Sequence, residues 1–452
     1  QISKGYISLI DYLKFEVLKA DDHGSIDLQV NRTVKNFLSV PRQLERFLFF
    51  GLLICVDTFL YILTFLPLRI AFGFFRAFWN VFLCIIGFFA SKTMATKGPR
   101  FCFWSLLYDL MRVMIMVQCL WSLQSVQMSR AYHYIRGQSM IKLYVLIGMV
   151  EIFDKLMCSF GQDALDSLYW STKMKKKRLT VLNFSIACVY CTLHSFLLFV
   201  HITTLTVAVN SSDQALLTLL ISNNFNEIKG AVFKKFDKQN LFQLSCHDSV
   251  ERFKLLLFLG MITLLNISQG GDDNLLKQFV NVFFLVLGGE VLADWVKHAF
   301  ITKFNLLQPT LYGEYSLILA RDITSCRKDD NLLDHTHLVA RRLAFATLPL
   351  NCVMIRFLQI AAPRIKSYLP ILTPSKVAVI SVLFYLIILA TKVLTGLLLM
   401  AHSYILQCDL TKAGKVILPK SPAHSSMKTK KELSLSKLAN IARFTLWKGR
   451  IV

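Results

Sequence analysis

The stretch FLFFGLLICVDTFLYILTFLPL, residues 47–68, holds one charged side chain, Asp57, in an otherwise apolar run bounded by Arg46 and Arg69. A helix rises 1.5 Å per residue, so about 20 residues cross the hydrocarbon of a bilayer. The run has that length and reads as a first membrane-spanning helix, with Pro67 ending it. A carboxyl near its centre is costly in lipid, which makes Asp57 a candidate functional residue. The plainer reading is a carboxyl that is protonated or paired against a neighbouring helix.

The remainder of the chain repeats the pattern. Hydrophobic residues make up 54%, charged residues only 17%, and 36 Phe stand beside 19 Gly and 10 Pro, a composition far from the soluble average. Further apolar runs cover Ile70 to Ala90 (Arg76 lies close enough to an end to snorkel), Phe101 to Val126, Val181 to Val209, Phe253 to Ile267, Leu275 to Phe300, Leu343 to Ile360 and Val377 to Tyr404. Lys392 is the only Lys, Arg, Asp or Glu of the last run. The fold class is therefore all-α: a polytopic helical membrane protein with about 6–8 transmembrane helices plus interfacial amphipathic helices. The segments expected are an amphipathic N-terminal one (1–46), first membrane helices (47–126), interfacial or buried amphipathic helices with a basic loop (127–179), and a membrane helix or re-entrant hairpin (180–221). A basic surface-helix region (222–252), C-terminal membrane helices (253–404) and a basic tail with an amphipathic helix (405–452) follow. The first residues carry no apolar run closed by a small-residue cleavage site, so no signal peptide is expected.

The formal net charge is +23. In a soluble chain that balance would point to nucleic acid, but no basic-aromatic module recurs, and no nucleic-acid partner is expected. Basic loops beside apolar spans fit the positive-inside rule and attraction to anionic lipid head groups. The clusters at Arg42–Arg46, Lys173–Arg178, Lys234–Lys238 and Lys428–Lys431 all ask for the cytosolic side. A single pass over Val181–Val209 would strand Lys234 on the other side, so that region is expected to be re-entrant, or Ala215–Ile221 helps the chain return. Of 11 cysteines, Cys55, Cys84, Cys119, Cys188, Cys191 and Cys352 lie in apolar runs, where they read as small packing residues with free thiols.

The stretch YHYIRGQSMIKLYVLIGMVEIFDKLMCSFGQD, residues 132–163, is apolar without being a simple span. Only eight uncharged residues separate Lys142 from Glu151. The Arg136-Gly137-Gln138-Ser139 sequence predicts a break, with a new helix from about Ser139. Spacing puts Glu151, Asp154 and Lys155 on one helical face, and the charges Arg136, Lys142, Glu151, Asp154 and Lys155 are expected to pair with other helices of the chain. Asp109 and Arg112, three apart, can pair on their own helix. GGEVLADWVKHAFITKFN, residues 288–305, places Glu290, Asp294, Lys297 and His298 on one stripe. Such a stripe could ligate a metal, but one helix gives an incomplete set; an internally paired stripe facing the bundle or a protein partner is the reading adopted. Cys188, Cys191 and His194 form C-x-x-C-x-x-H, half of a zinc pattern without its second half, and their positions drift around a helix. His335 and His337 suit a helix start equally well. No metal, no cofactor and no catalytic set is expected; the common nucleotide and hydrolase motifs are absent. Of the glycosylation sequons at Asn31, Asn183, Asn210 and Asn266, Asn210 is the best placed.

Five collinear blocks carry a resemblance: Phe37 to Arg69, Tyr132 to Val145, FGQDALDSLYW (Phe160 to Trp170), Leu220 to Phe253 and VKHAFITKFN (Val296 to Asn305). Together they resemble the transmembrane anterior posterior transformation protein family. The resemblance implies a multi-pass endoplasmic-reticulum protein without catalytic residues, linked to a SUN-domain-containing membrane protein and to folding or quality control of secretory proteins. In animals it implies cilium assembly and skeletal patterning, with a basal-body or centrosomal location besides. The competing expectation is a transporter, channel or lipid-handling protein using its intramembrane acidic residues.

Overall fold

The computed structural model describes residues 24–89, 103–210, 214–268, 273–325, 341–368 and 374–412. Its elements are α1 (Gly24–Leu63), α2 (Phe65–Phe89), α3 (Phe103–Gln124), α4 (Met128–Arg136), α5 (Met140–Lys173), α6 (Lys177–Val209), α7 (Gln214–Val232), α8 (Lys238–Ser268), α9 (Asp273–Phe304), α10 (Leu311–Ser325), α11 (Thr347–Tyr368) and α12 (Pro374–Lys412). No strand occurs among the described residues. The basic tail from Lys428, its amphipathic segment, and His335 and His337 lie outside them.

Helix α1 runs unbroken for 40 residues with Pro41 inside it, so the end of the amphipathic N-terminal segment and the first span are one rod. It stops four residues before the expected breaker, Pro67. Pro67 has no N–H to give the carbonyl of Leu63, so the ladder fails there and Thr64 becomes the joint between α1 and α2. The Thr64 hydroxyl turns back onto the Leu60 carbonyl at 2.7 Å, occupying an acceptor at the joint.

Among the described residues, four stretches are long and apolar enough to cross a bilayer: Thr33–Arg76, Leu106–Gln124, Lys177–Val209 and Lys376–Cys408. The expected spans at residues 253–267, 275–300 and 343–360 are helical but are not among these four. The first is the second half of α8 and carries Lys254 near its start, behind a first half with Asp248, Glu251 and Arg252; the second carries Glu290, Asp294 and Lys297; the third holds Asn351 and Arg356. The charged residues of α8 and α9 find partners inside the protein, while α9 also turns Phe284, Leu285 and Leu292 outward. The outer surface is apolar by contrast. Leu383, Phe384, Ile387, Leu394 and Leu397 of α12 and Phe72, Phe75 and Phe78 of α2 are all exposed, as helices facing acyl chains require.

The break expected near Gly137 is present. Helix α4 closes with the Gly137 N–H on the His133 carbonyl at 3.1 Å, and α5 starts behind the extended Ser139. Helix α5 then doubles back as α6 through Met174–Lys176, with Lys175 in the left-handed region at φ 59°. The two helices form the most extensive helix pair of the protein. Gly161 lets them close: a Cβ there would lie 1.9 Å from the Tyr190 ring, which is itself held by its hydroxyl against His194 at 3.0 Å.

Helix α7 supplies the return that the basic clusters demanded. It leads from the Asn210 end back to Lys234, where Asn305 accepts from the Phe236 N–H at 2.8 Å, and α8 starts again from Lys238. The side chains of Asn210 and Asn266 bond to each other at 3.1 and 3.2 Å, so α6 and α8 finish at one end. Lys173–Arg178 and Lys234–Lys238 consequently share the opposite end. Asn183, another sequon residue, is buried and donates to the Ser167 carbonyl at 3.1 Å.

Gly161→Val should force α5 and α6 apart at a cost of about 1–3 kcal/mol, lowering the melting temperature of the detergent-purified protein. Gly148→Ala on the same helix meets open space and should leave it unchanged or raise it. Equal behaviour of the two variants would contradict the close approach.

Candidate functional site

The chemistry-bearing side chains converge on the first half of α8. Ser245 and Ser249 satisfy their hydroxyls on their own helix, and Gly51 of α1 approaches so closely that a Cβ would meet Ser249 Oγ at 2.5 Å. That contact sets α8 deep in the bundle, and it takes Asp248, Glu251, Arg252 and Lys254 with it. A charge in such a place has to be paired and hydrogen-bonded.

Asp248, 1% exposed, is the most enclosed of the four. One carboxylate oxygen accepts from Lys297 Nζ at 3.0 Å, and the other bonds His298 Nε2 at 2.6 Å. The far nitrogen of His298 meets the Tyr312 hydroxyl at 2.8 Å, so the imidazole is oriented from both sides. Lys297 also reaches Glu227 at 3.0 Å and Asp294 at 2.9 Å. Arg252 donates to Asp294 and to Glu45, each at 2.8 Å, and the Trp295 indole N–H bonds the same Glu45 oxygen at 2.6 Å. Helices α1, α7, α8, α9 and α10 are thus bound through one network.

A second branch starts from Lys254. Its ammonium donates to Asp154 at 2.6 Å, and the other oxygen of that carboxylate bonds His194 at 2.8 Å. Lys254 and His194 hold the Asp154 carboxyl well below the ordinary carboxylate range despite its burial. Lys155 bridges Glu151 at 2.9 Å and Glu251 at 3.3 Å, Asn223 donates to Glu151 at 2.8 Å, and His247 meets Glu251 at 2.9 Å. The carboxyls of Glu45, Glu151, Asp154, Glu227, Asp248, Glu251 and Asp294 outnumber the permanent cations Lys155, Arg252, Lys254 and Lys297. Burial and the Glu251 carboxylate push Glu227 up to about 7, against the pull of Lys297.

The site candidates among the described residues each have a place. Asp294, Lys297 and His298 do form an internally paired stripe, although its partners come from α7, α8 and α10. Glu290 lies half-buried about one turn before Asp294. Glu151, Asp154 and Lys155 join the second branch. Arg136 and Lys142 stay outside it: both are exposed and make no ion pair among the described residues, because a solvated side chain gains little from being fixed. Asp109 is reached by Arg69 of α2 at 2.8 Å, an interhelical pair that own-helix spacing did not predict, while Arg112 lies over the Tyr108 ring at 5.0 Å. Asp57 pairs with Lys392, the single charges of the apolar runs 47–68 and 377–404 meeting in the bundle. Sequence reading passed over Glu45, Asp248, Arg252 and Lys254; no spacing signal marks them, since their partners lie on other helices.

Two groups in this network have the composition of a metal site. Ligand atoms of Glu227, Asp248 and Glu251 lie within 4.8 Å of one another, as do those of Asp154, Cys158 and His194. In each an ammonium already stands where an ion would: Lys297 in the first, and in the second Lys254, whose Nζ is also 3.7 Å from Cys158 Sγ. The arrangement therefore ties helices together.

Comparison with known proteins gives a consistent picture. The family model DUF747, described as a eukaryotic membrane protein family, matches residues 104–407. Transmembrane anterior posterior transformation protein 1 of Mus musculus is 37% identical over 422 residues, covering 91% of this chain and 70% of that protein. The homolog of Gallus gallus is 38% identical over 91% of this chain and 68% of its own length. The TAPT1 homolog of Drosophila melanogaster is 41% identical over 72% of this chain and 48% of its own. No solved structure matches.

Lys297→Met should remove the ammonium that Asp248, Asp294 and Glu227 share, leaving Asp248 with His298 alone and Asp294 with Arg252 alone, and cost about 3–5 kcal/mol, read as a fall in melting temperature. Adding Asp248→Asn should recover part of the loss; a double variant no more stable than the single one would count against the pairing. Glu227 has a second consequence. Its folded value of about 7 exceeds the ordinary 4.5, so the folded chain keeps a proton that the unfolded chain releases. Its contribution to stability is complete below 4.5 and is lost as the pH rises to about 7. Melting temperature should fall more steeply over that interval in the natural protein than in Glu227→Gln, and parallel curves would refute the assignment.

Proposed function

Because the chain belongs to the transmembrane anterior posterior transformation family of eukaryotic membrane proteins, we propose that it is a non-enzymatic scaffold of the endoplasmic-reticulum membrane. It assembles with a SUN-domain-containing membrane protein and supports folding or quality control of secretory proteins. In animals this activity extends to cilium assembly and skeletal patterning. The partner, the compartment and these processes come from the family resemblance. The observation that carries the scaffold reading is the buried network itself: Asp248, Asp294, Asp154, Lys254, Lys297 and Arg252 are engaged with one another across helices. Side chains so committed brace a bundle, whereas a transport path needs polar groups that exchange partners as cargo moves. The outward apolar face of α12 supports the same reading, since a membrane partner or lipid can cover it.

Orientation follows from charge. The end that gathers Lys173–Arg178 and Lys234–Lys238 is cytosolic and attracts anionic lipid head groups, and the end bearing Asn210 and Asn266 is lumenal.

Native purification of the tagged protein from endoplasmic-reticulum membranes should bring a SUN-domain membrane protein at a fixed ratio. Preparations free of it, drawn from membranes that contain it, would rule the scaffold reading out. Ion or lipid flux through reconstituted vesicles that Asp57→Asn abolishes would move the function to transport.

A further inference from the structure

Three thiols meet in the bundle away from the ion network. Cys119 comes from the last turns of α3, Cys191 from the middle of α6 and Cys352 from the start of α11. They are 0, 1 and 0% exposed, and their Sγ atoms all lie within 4.8 Å of one another. The surroundings hold them in place. Cys119 Sγ lies 3.1 Å from Ser195 Oγ and 3.7 Å from the Cys191 carbonyl, the Ser195 hydroxyl donates to the Pro349 carbonyl at 3.2 Å, and Cys352 Sγ faces the Met116 carbonyl at 4.0 Å.

This group differs from the two ligand clusters of the network. Those already hold a lysine ammonium, whereas no lysine or arginine bonds these sulfurs among the described residues. Three sulfurs converging from three helices make a soft donor set, which suits thiophilic cations. The coordination number narrows the choice. Zinc in closed sites takes four Cys, His or carboxylate ligands, and the fourth neighbour here is a neutral serine hydroxyl. His194, one turn beyond Cys191, is committed through both ring nitrogens to Asp154 and Tyr190. A three-coordinate ion with sulfurs at about 2.3 Å sets them about 4.0 Å apart, so an inward movement of at most about 0.5 Å per sulfur closes the triangle.

We propose that Cys119, Cys191 and Cys352 form a three-sulfur site for monovalent copper. Binding of the monovalent ion replaces one thiol proton, which leaves to water, so that one thiolate and two thiol sulfurs hold the ion in a neutral site. The site lies where α3, α6 and α11 meet, so a bound ion cross-links three helices that the ion network does not join to one another.

The test uses the full chain, purified anaerobically in detergent from cells grown with added copper, and then titrated with Cu(I) supplied as its bicinchoninate complex. About one copper per chain should resist the chelator, with an X-ray absorption shell of sulfur at about 2.3 Å. Cys119→Ser, Cys191→Ser and Cys352→Ser should each lower retention roughly tenfold, while Cys188→Ser, one turn away on α6, should retain the metal. Monodisperse elution of each variant separates lost binding from lost fold; should a variant fail to elute so, the sulfur shell of the unsubstituted protein decides. The proposal is overturned if that protein holds no copper against the chelator, if a shell of nitrogen or oxygen replaces sulfur, if the serine variants bind as well as the parent, or if zinc alone is retained.

Discussion

Asp248 has to be neutralised where it stands. The contact of Gly51 with Ser249 seats α8 against α1, and at that depth an uncompensated carboxylate would cost several kcal/mol. Lys297 and His298 of α9 answer it, with Tyr312 of α10 behind the imidazole. Once Lys297 is there, it imposes a position on Asp294 and Glu227; once Arg252 is one turn further along α8, it fixes Asp294 from the other side and draws in Glu45 of α1. One buried acid thereby sets the mutual positions of α1, α7, α8, α9 and α10.

The same constraint separates two kinds of helix. Those with few charges, α6 and α12 above all, present apolar residues outward and rely on single interhelical pairs such as Asp57 with Lys392. Those with many, α8 and α9, bury these charges and satisfy them against each other and against α5 and α7, while α9 keeps Phe284, Leu285 and Leu292 outward. Lipid supplies no water to an exposed backbone or side-chain polar group, so the division follows from desolvation.

Much of this was legible in the chain. The long apolar runs, the break at Gly137, the stripe through Asp294, Lys297 and His298, and five blocks resembling one family all stand in the order of residues. The conflict between basic clusters at Lys173 and Lys234 even demanded a return between them, which α7 provides. Other features had no local signal. Asp248 and Arg252 sit in a segment that reads as a basic surface helix, Lys254 sits at the start of one that reads as a short span, and the thiols of Cys119, Cys191 and Cys352 look like ordinary small packing residues in three separate runs.

The sequence by itself determined the solvent of this protein, its helical class and its family, because hydrophobic run length, charge spacing and motif order are properties of neighbouring residues. Only the tertiary structure decided which helices face lipid and which charges and sulfurs meet. Pairing energy in a low dielectric depends on distance in space, and Asp57 with Lys392, Glu45 with Arg252, and Cys119 with Cys352 come together only when helices far apart in the chain are packed side by side.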